Sequence, residues 1–135
     1  MSVVTNVILS GLGGFDPEYT PRVITHLNNW LRENEVKGQL VEVSKHVESN
    51  KAMEAFLWIG AFNYLAVGDF VQAYRDIVPT LAFGRYSAQL LIKRQEDSIF
   101  YHVPQTREED GGYNWDARED RGDYLRACGV HDRLQ

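Results

Sequence analysis

The 135-residue chain contains one cysteine, Cys128, so no internal disulfide can form, whereas small secreted domains usually rely on several. A reducing, cytoplasmic setting is the expectation. No apolar run approaches the roughly eighteen residues that a membrane-spanning helix requires. The first ten residues carry no Lys or Arg ahead of their apolar stretch, and Asn6 interrupts that stretch, so the pattern of a signal peptide is missing. Positive charge is scarce as well. The 14 Lys and Arg stand against 19 Asp and Glu, and the resulting formal charge of −5 speaks against nucleic acid or an anionic membrane as a partner.

Catalytic motifs are equally scarce. Gly11-Leu-Gly13-Gly14 lies between a strand pattern and a helix pattern, where backbone N–H groups could cradle a phosphate. It lacks the Lys-Ser/Thr pair of a P-loop, and Asp16 occupies the third-glycine position of the dinucleotide fingerprint, so it reads as a simple loop. Cys128-Gly-Val-His131 has the spacing of two zinc ligands but no second pair, so neither a metal nor a cofactor is expected. Arg121-Gly-Asp123 matches an adhesion tripeptide, with nothing else to suggest an extracellular protein. No Ser-His-Asp or Cys-His arrangement has a local signature.

What is present is a foldable core. A hydrophobic share of 44% with 12% aromatics suits one packed domain and leaves no room for two. Residues 3–12 are rich in β-branched and aliphatic side chains and read as a buried strand. Thr20-Pro21 has the form of a helix start, and Val23, Ile24, Leu27, Trp30 and Leu31 recur at helical spacing, which predicts a helix over 21–35 stopped at Gly38. Residues 39–47 alternate, with Val41, Val43 and Val47 on one face and Glu42, Ser44 and His46 on the other. Residues 52–64 form the most apolar segment and predict a central strand. Asp69 and Gln72 have capping-box spacing for a second helix that ends at Pro79, and two strands follow over 86–92 and 98–103.

The predicted fold class is therefore α+β: strand, helix, strand, strand, helix, strand, strand. This is the split βαβ order (βαββαβ) of ferredoxin-like domains with an extra C-terminal edge strand. Right-handed crossovers would put both helices on one sheet face and leave the other open. Residues 1–103 form the expected domain. Residues 104–135, with eight acids against five arginines, form an acidic C-terminal extension that supplies −3 of the net charge. Asp116 and Glu119 are spaced to cap a short helix within it, although Gly122 and a thin apolar stripe weaken that helix. Such a composition suits a solvated tail. The alternative is a docking arm whose Tyr113, Trp115, Tyr124 and Leu125 anchor into a partner.

Phe56, Trp58, Phe62 and Tyr64 occupy even positions of the third strand, so in an uninterrupted strand their rings share one face. With Met53, Ala55, Leu57, Ile59 and Ala61 under the helices, the aromatic row becomes the open face. Gly60-Ala-Phe-Asn-Tyr64 superficially resembles the third-strand signature of RNA-recognition domains, but Ile59 replaces the basic residue before the glycine. Burial of the row, by the tail or by another subunit's sheet, is the more natural reading, and with such an arm it leads to the expectation of a homo-oligomer. His46 and His102 are the candidates for acid–base work, each near a strand end, with Glu42 or Glu54 placed to tune an imidazole; His26 flanks the stripe of the first helix. The leading function is a non-catalytic binding or assembly module that uses Phe56, Trp58, Phe62, Tyr64, Trp115 and Tyr124. The alternatives are a small cofactor-free enzyme of the dimeric α+β barrel type, with a cavity above the sheet, and an acidic inhibitor of a host enzyme or nucleic-acid-binding protein.

Overall fold

A computed structural model of the protein describes residues 3–12, 19–43, 55–78, 88–106 and 114–120. The elements run β1 (Val4–Leu12), α1 (Tyr19–Glu33), β2 (Val41–Glu42), β3 (Ala55–Asn63), α2 (Val67–Ile77), β4 (Ala88–Arg94) and β5 (Tyr101–Val103). A third, short helix, α3, covers 115–120. The strands form one sheet in the order β2-β3-β1-β4-β5, and every neighbouring pair is antiparallel. The fold is α+β, and β1, the first strand made, lies at its centre.

Helix α1 forms because Val23, Ile24, Leu27 and Leu31 make a stripe on one side, and all four are buried. Helix α2 presents Val67, Phe70, Val71, Ala73 and Tyr74 in the same way. The two stripes join one core with Val7 and Leu9 of β1, Phe62 of β3, Leu90 and Ile92 of β4 and Val103 of β5. Trp30 of α1 meets Phe70 of α2 edge to face, with ring centres 5.7 Å apart. Both helices therefore cover the same side of the sheet.

The helix ends depart from expectation. Ala66, and not Asp69, is the N-cap of α2; it makes no side-chain capping bond, and Asp69 lies inside the first turn where its charge faces the helix dipole favourably. Helix α1 stops before Gly38. The Val36 N–H donates to Leu31 O at 2.9 Å and the Glu35 N–H to Arg32 O at 3.1 Å, the paired bonds of a Schellman motif. Its left-handed residue is Glu35, at φ 60°. Gly38, at φ 103°, turns the connection that follows. A side chain in the left-handed region costs about 1 kcal/mol, so Glu35→Gly should raise stability by about 0.5–1 kcal/mol, measured by urea denaturation.

The connection into β2 is clamped by α1. The Leu40 N–H donates to Asn28 Oδ1 at 2.8 Å, and Asn28 Nδ2 donates to Leu40 O at 3.2 Å. An amide side chain thus pairs with Leu40 as a neighbouring strand would, which blunts this part of the sheet edge.

The register of β3 corrects the expected assignment of faces. Phe62 lies opposite Thr5, Gly60 opposite Val7 and Trp58 opposite Leu9, and these β1 residues face the helices. Phe62 is 1% exposed, and Trp58 packs against the core. Phe62 and Trp58 of the aromatic row therefore lie on the side covered by the protein's own helices, while Leu57 and Ile59 face outward. Gly60 permits this packing. A Cβ there would stand 2.5 Å from the Phe62 ring and 3.2 Å from Leu40, so the ring lies across the space a side chain would occupy.

Candidate functional site: the uncovered sheet face and the 114–120 strap

On the side away from the helices, the pairings line up Val41, Ile59, Ile8 and Leu91 across β2, β3, β1 and β4, with His102 of β5 at the end of the row. Val41 is 48% and Ile59 42% exposed, and Leu57, one step along β3, is 38% exposed. Ser10 and Gln89 flank the row on one side, and Ala61, Asn6 and Lys93 on the other. Among the described residues the face is therefore aliphatic along its middle and carries little charge. A contiguous apolar strip of this kind is a common mark of an interaction surface.

The histidine and carboxylate candidates separate. His102 is exposed on the uncovered face, whereas Glu42 pairs with Trp58 on the helix side, so Glu42 cannot tune that imidazole. His46, Glu54 and Tyr124 lie outside the described residues, as does the side chain of Phe56. Of the expected aromatics among the described residues, Tyr64 is the most exposed at 68%, and it sits just past β3 at φ 55° with its N–H donating to Val3 O. The Trp58 indole N–H is buried without a partner among the described residues. Among the described residues, no three His, Cys, Asp or Glu stand together so as to hold a metal ion, and no helix is long and apolar enough to cross a membrane.

The second feature is the seven-residue stretch 114–120. Asn114 bridges to His102 in parallel, just outside β5, and its Oδ1 accepts the Asp116 N–H at 2.7 Å as the N-cap of α3. Asp116 and Glu119 are the expected cap and partner; the cap is Asn114, two residues earlier, and Asp116 is turned inward. Trp115, expected as an anchor for a partner, is 2% exposed within the core of its own chain. The Arg94 and Arg118 guanidiniums lie over its ring, 5.1 and 5.4 Å from the centre.

Ion pairs surround this anchor. Arg75 of α2 grips Asp116 with two bonds of 3.1 and 2.6 Å, while its Nε donates to Pro104 O at 2.9 Å. Arg118 donates to Asp97 at 2.8 Å and to Glu96 at 3.1 Å, and Arg94 pairs with Glu119 at 2.9 Å. Burial by itself would lower the Arg118 pKa, but the hydrogen bond and charge of Asp97, with Glu119 and Glu96, outweigh it and raise the value, so this side chain stays charged. Residues 114–120, beyond the expected boundary at 103/104, take part in this packing. No local pattern announces it, because the partners of Asp116 and Arg118 lie 41 and 21 positions away. No protein-family model, no curated protein and no solved structure matches this chain.

Proposed function

We propose that the protein is a small assembly module that pairs with a second copy of itself through the uncovered sheet face. The observation that carries this reading is the aliphatic row from Val41 through Ile59 and Ile8 to Leu91. Size supports it too. Strands about 4.8 Å apart, with central strands about 30 Å long, present several hundred Å² before side-chain relief is added, on the scale of the ~800 Å² that each partner contributes to a stable complex. Lys93 and His102 are the titratable groups among the residues aligned on that face, so two copies would bring little like charge together. The strand order supports a split βαβ, ferredoxin-like fold with β5 as the added edge, since β4-β1-β3-β2 with one helix after β1 and another after β3 is that arrangement. The packing of Trp115 supports a folded unit that extends through residue 120. The lone Cys128 supports a reducing, cytoplasmic place of action.

Light scattering coupled to size exclusion tests the reading at high micromolar concentration. The expected mass is twice 15.5 kDa. Ile59→Lys, a change at a half-exposed strand position, should return the protein to a monomer and shift Tm by only a few degrees, as expected for a change of about 1 kcal/mol or less. A wild-type chain that stays at 15.5 kDa throughout removes the proposal.

A further inference from the structure

We propose that residues 114–120 are a strap held shut by charge, which opens as a unit ahead of the sheet when salt screens its ion pairs. Among the described residues, backbone pairing contributes little to its hold, since Asn114 joins β5 through a single bridge to His102. Side chains do most of the fastening. Among the described residues, one ring, Trp115, enters the core, and three charged contacts surround it: Asp116 on Arg75, Arg118 on Asp97 and Glu96, and Glu119 on Arg94. Each of these reaches a different neighbour, on α2, on the β4–β5 turn and at the end of β4, so the strap is riveted at three points.

The strap has two properties that a central strand lacks. Its six-residue helix is too short to persist in water once undocked, so release and melting are one event. Its outer rivets are partly exposed as well. The Arg94 and Glu119 side chains are 23% and 22% exposed, and Glu96 is 37% exposed, so dissolved ions can screen them. The sheet, by contrast, rests on the apolar core and on ladders of seven to nine residue pairs between its central strands, which screening does not weaken. Electrostatic fastening over a hydrophobic plug therefore divides the molecule into a salt-sensitive strap and a salt-insensitive sheet. When the strap lifts, Trp115 reaches water and β5 loses its outer neighbour at His102.

Hydrogen exchange by mass spectrometry on the full wild-type chain tests this at about 50 mM and about 1 M NaCl, where the screening length falls from more than 10 Å to about 3 Å. Amides of 115–120 should exchange about tenfold faster at the higher salt, while those of β1 and β3 keep their rates. In Arg118→Met, whose aliphatic stem still covers Trp115, the salt response of the strap should shrink to less than half. Two results overturn the proposal: strap amides that exchange only together with β1 and β3 at both salts, or strap exchange that is indifferent to salt. Since no step involves a second copy, the result is read independently of the oligomeric state.

Discussion

Trp115→Ala should lower the unfolding free energy by about 3–5 kcal/mol, the range for removing a large buried aromatic side chain. The residue is 2% exposed, so nearly the whole ring is lost from the core and a cavity replaces it. The guanidiniums of Arg94 and Arg118 lose their contact with the ring at the same time, about 0.5–1 kcal/mol for each partly exposed cation. Urea denaturation followed by circular dichroism is the measurement, because it does not depend on tryptophan emission. A midpoint shift at unchanged slope, with a Tm lower by roughly 10 °C or more, is the expected pattern. Trp115→Phe, which refills much of the cavity, should recover at least half of the loss. A loss under about 1 kcal/mol would show that the ring lies outside the cooperative core.

This result bears on where the folded unit ends. Composition alone divides the chain after 103, because acids outnumber basic residues beyond that point and aliphatics become rare. The division looks natural because charged residues are expected in water. In the structure three of those charges, Asp116, Arg118 and Glu119, face the body of the protein, where Arg75, Arg94, Asp97 and Glu96 receive them. Trp115 was legible as a residue too costly to leave exposed. Its seat was not, since the cavity that receives it is assembled from elements distant in sequence.

The legible part of the fold was the part that depends on local spacing. The stripe Val23, Ile24, Leu27, Leu31 shows both the helix and the side it buries, and Leu90 with Ile92 between Gln89 and Lys93 shows the buried face of β4. On β3 the same reasoning fails, because Leu57, Ile59 and Ala61 on one face are as apolar as Trp58 and Phe62 on the other. Period-two alternation says that faces differ, and cannot say which one a helix will cover when both are hydrophobic. That is settled by register. With Trp58 set opposite Leu9, the rings go under the helices and the aliphatics go outside. Gly60 was the available clue, since a glycine among rings on one face makes room for a neighbour to fold across it. The uncovered face was anticipated, but its residues were the wrong alternate set.

Asp116→Ala should cost about 3–4 kcal/mol, a large loss for one small side chain. The Asp116 side chain is 3% exposed and that of Arg75 13%, so the pair is largely withdrawn from water. The guanidinium meets both carboxylate oxygens, and its Nε is held by Pro104 O, so the fork is fixed at three points. Removing the carboxylate strands a charge whose desolvation is no longer offset, and that penalty, more than the lost attraction, sets the magnitude. A double variant, Arg75→Met with Asp116→Leu, should therefore be more stable than Asp116→Ala alone, because it removes both charges and keeps the volume filled. Denaturant midpoints for the wild type, the single variants and the double variant form the cycle that reads this coupling. Combining Trp115→Ala with Asp116→Ala should cost less than the sum of the two, because a strap already loosened by one substitution has less left for the other to remove. Full additivity would mean that 114–120 never leaves the sheet short of global unfolding, and the strap would then be an ordinary part of the core.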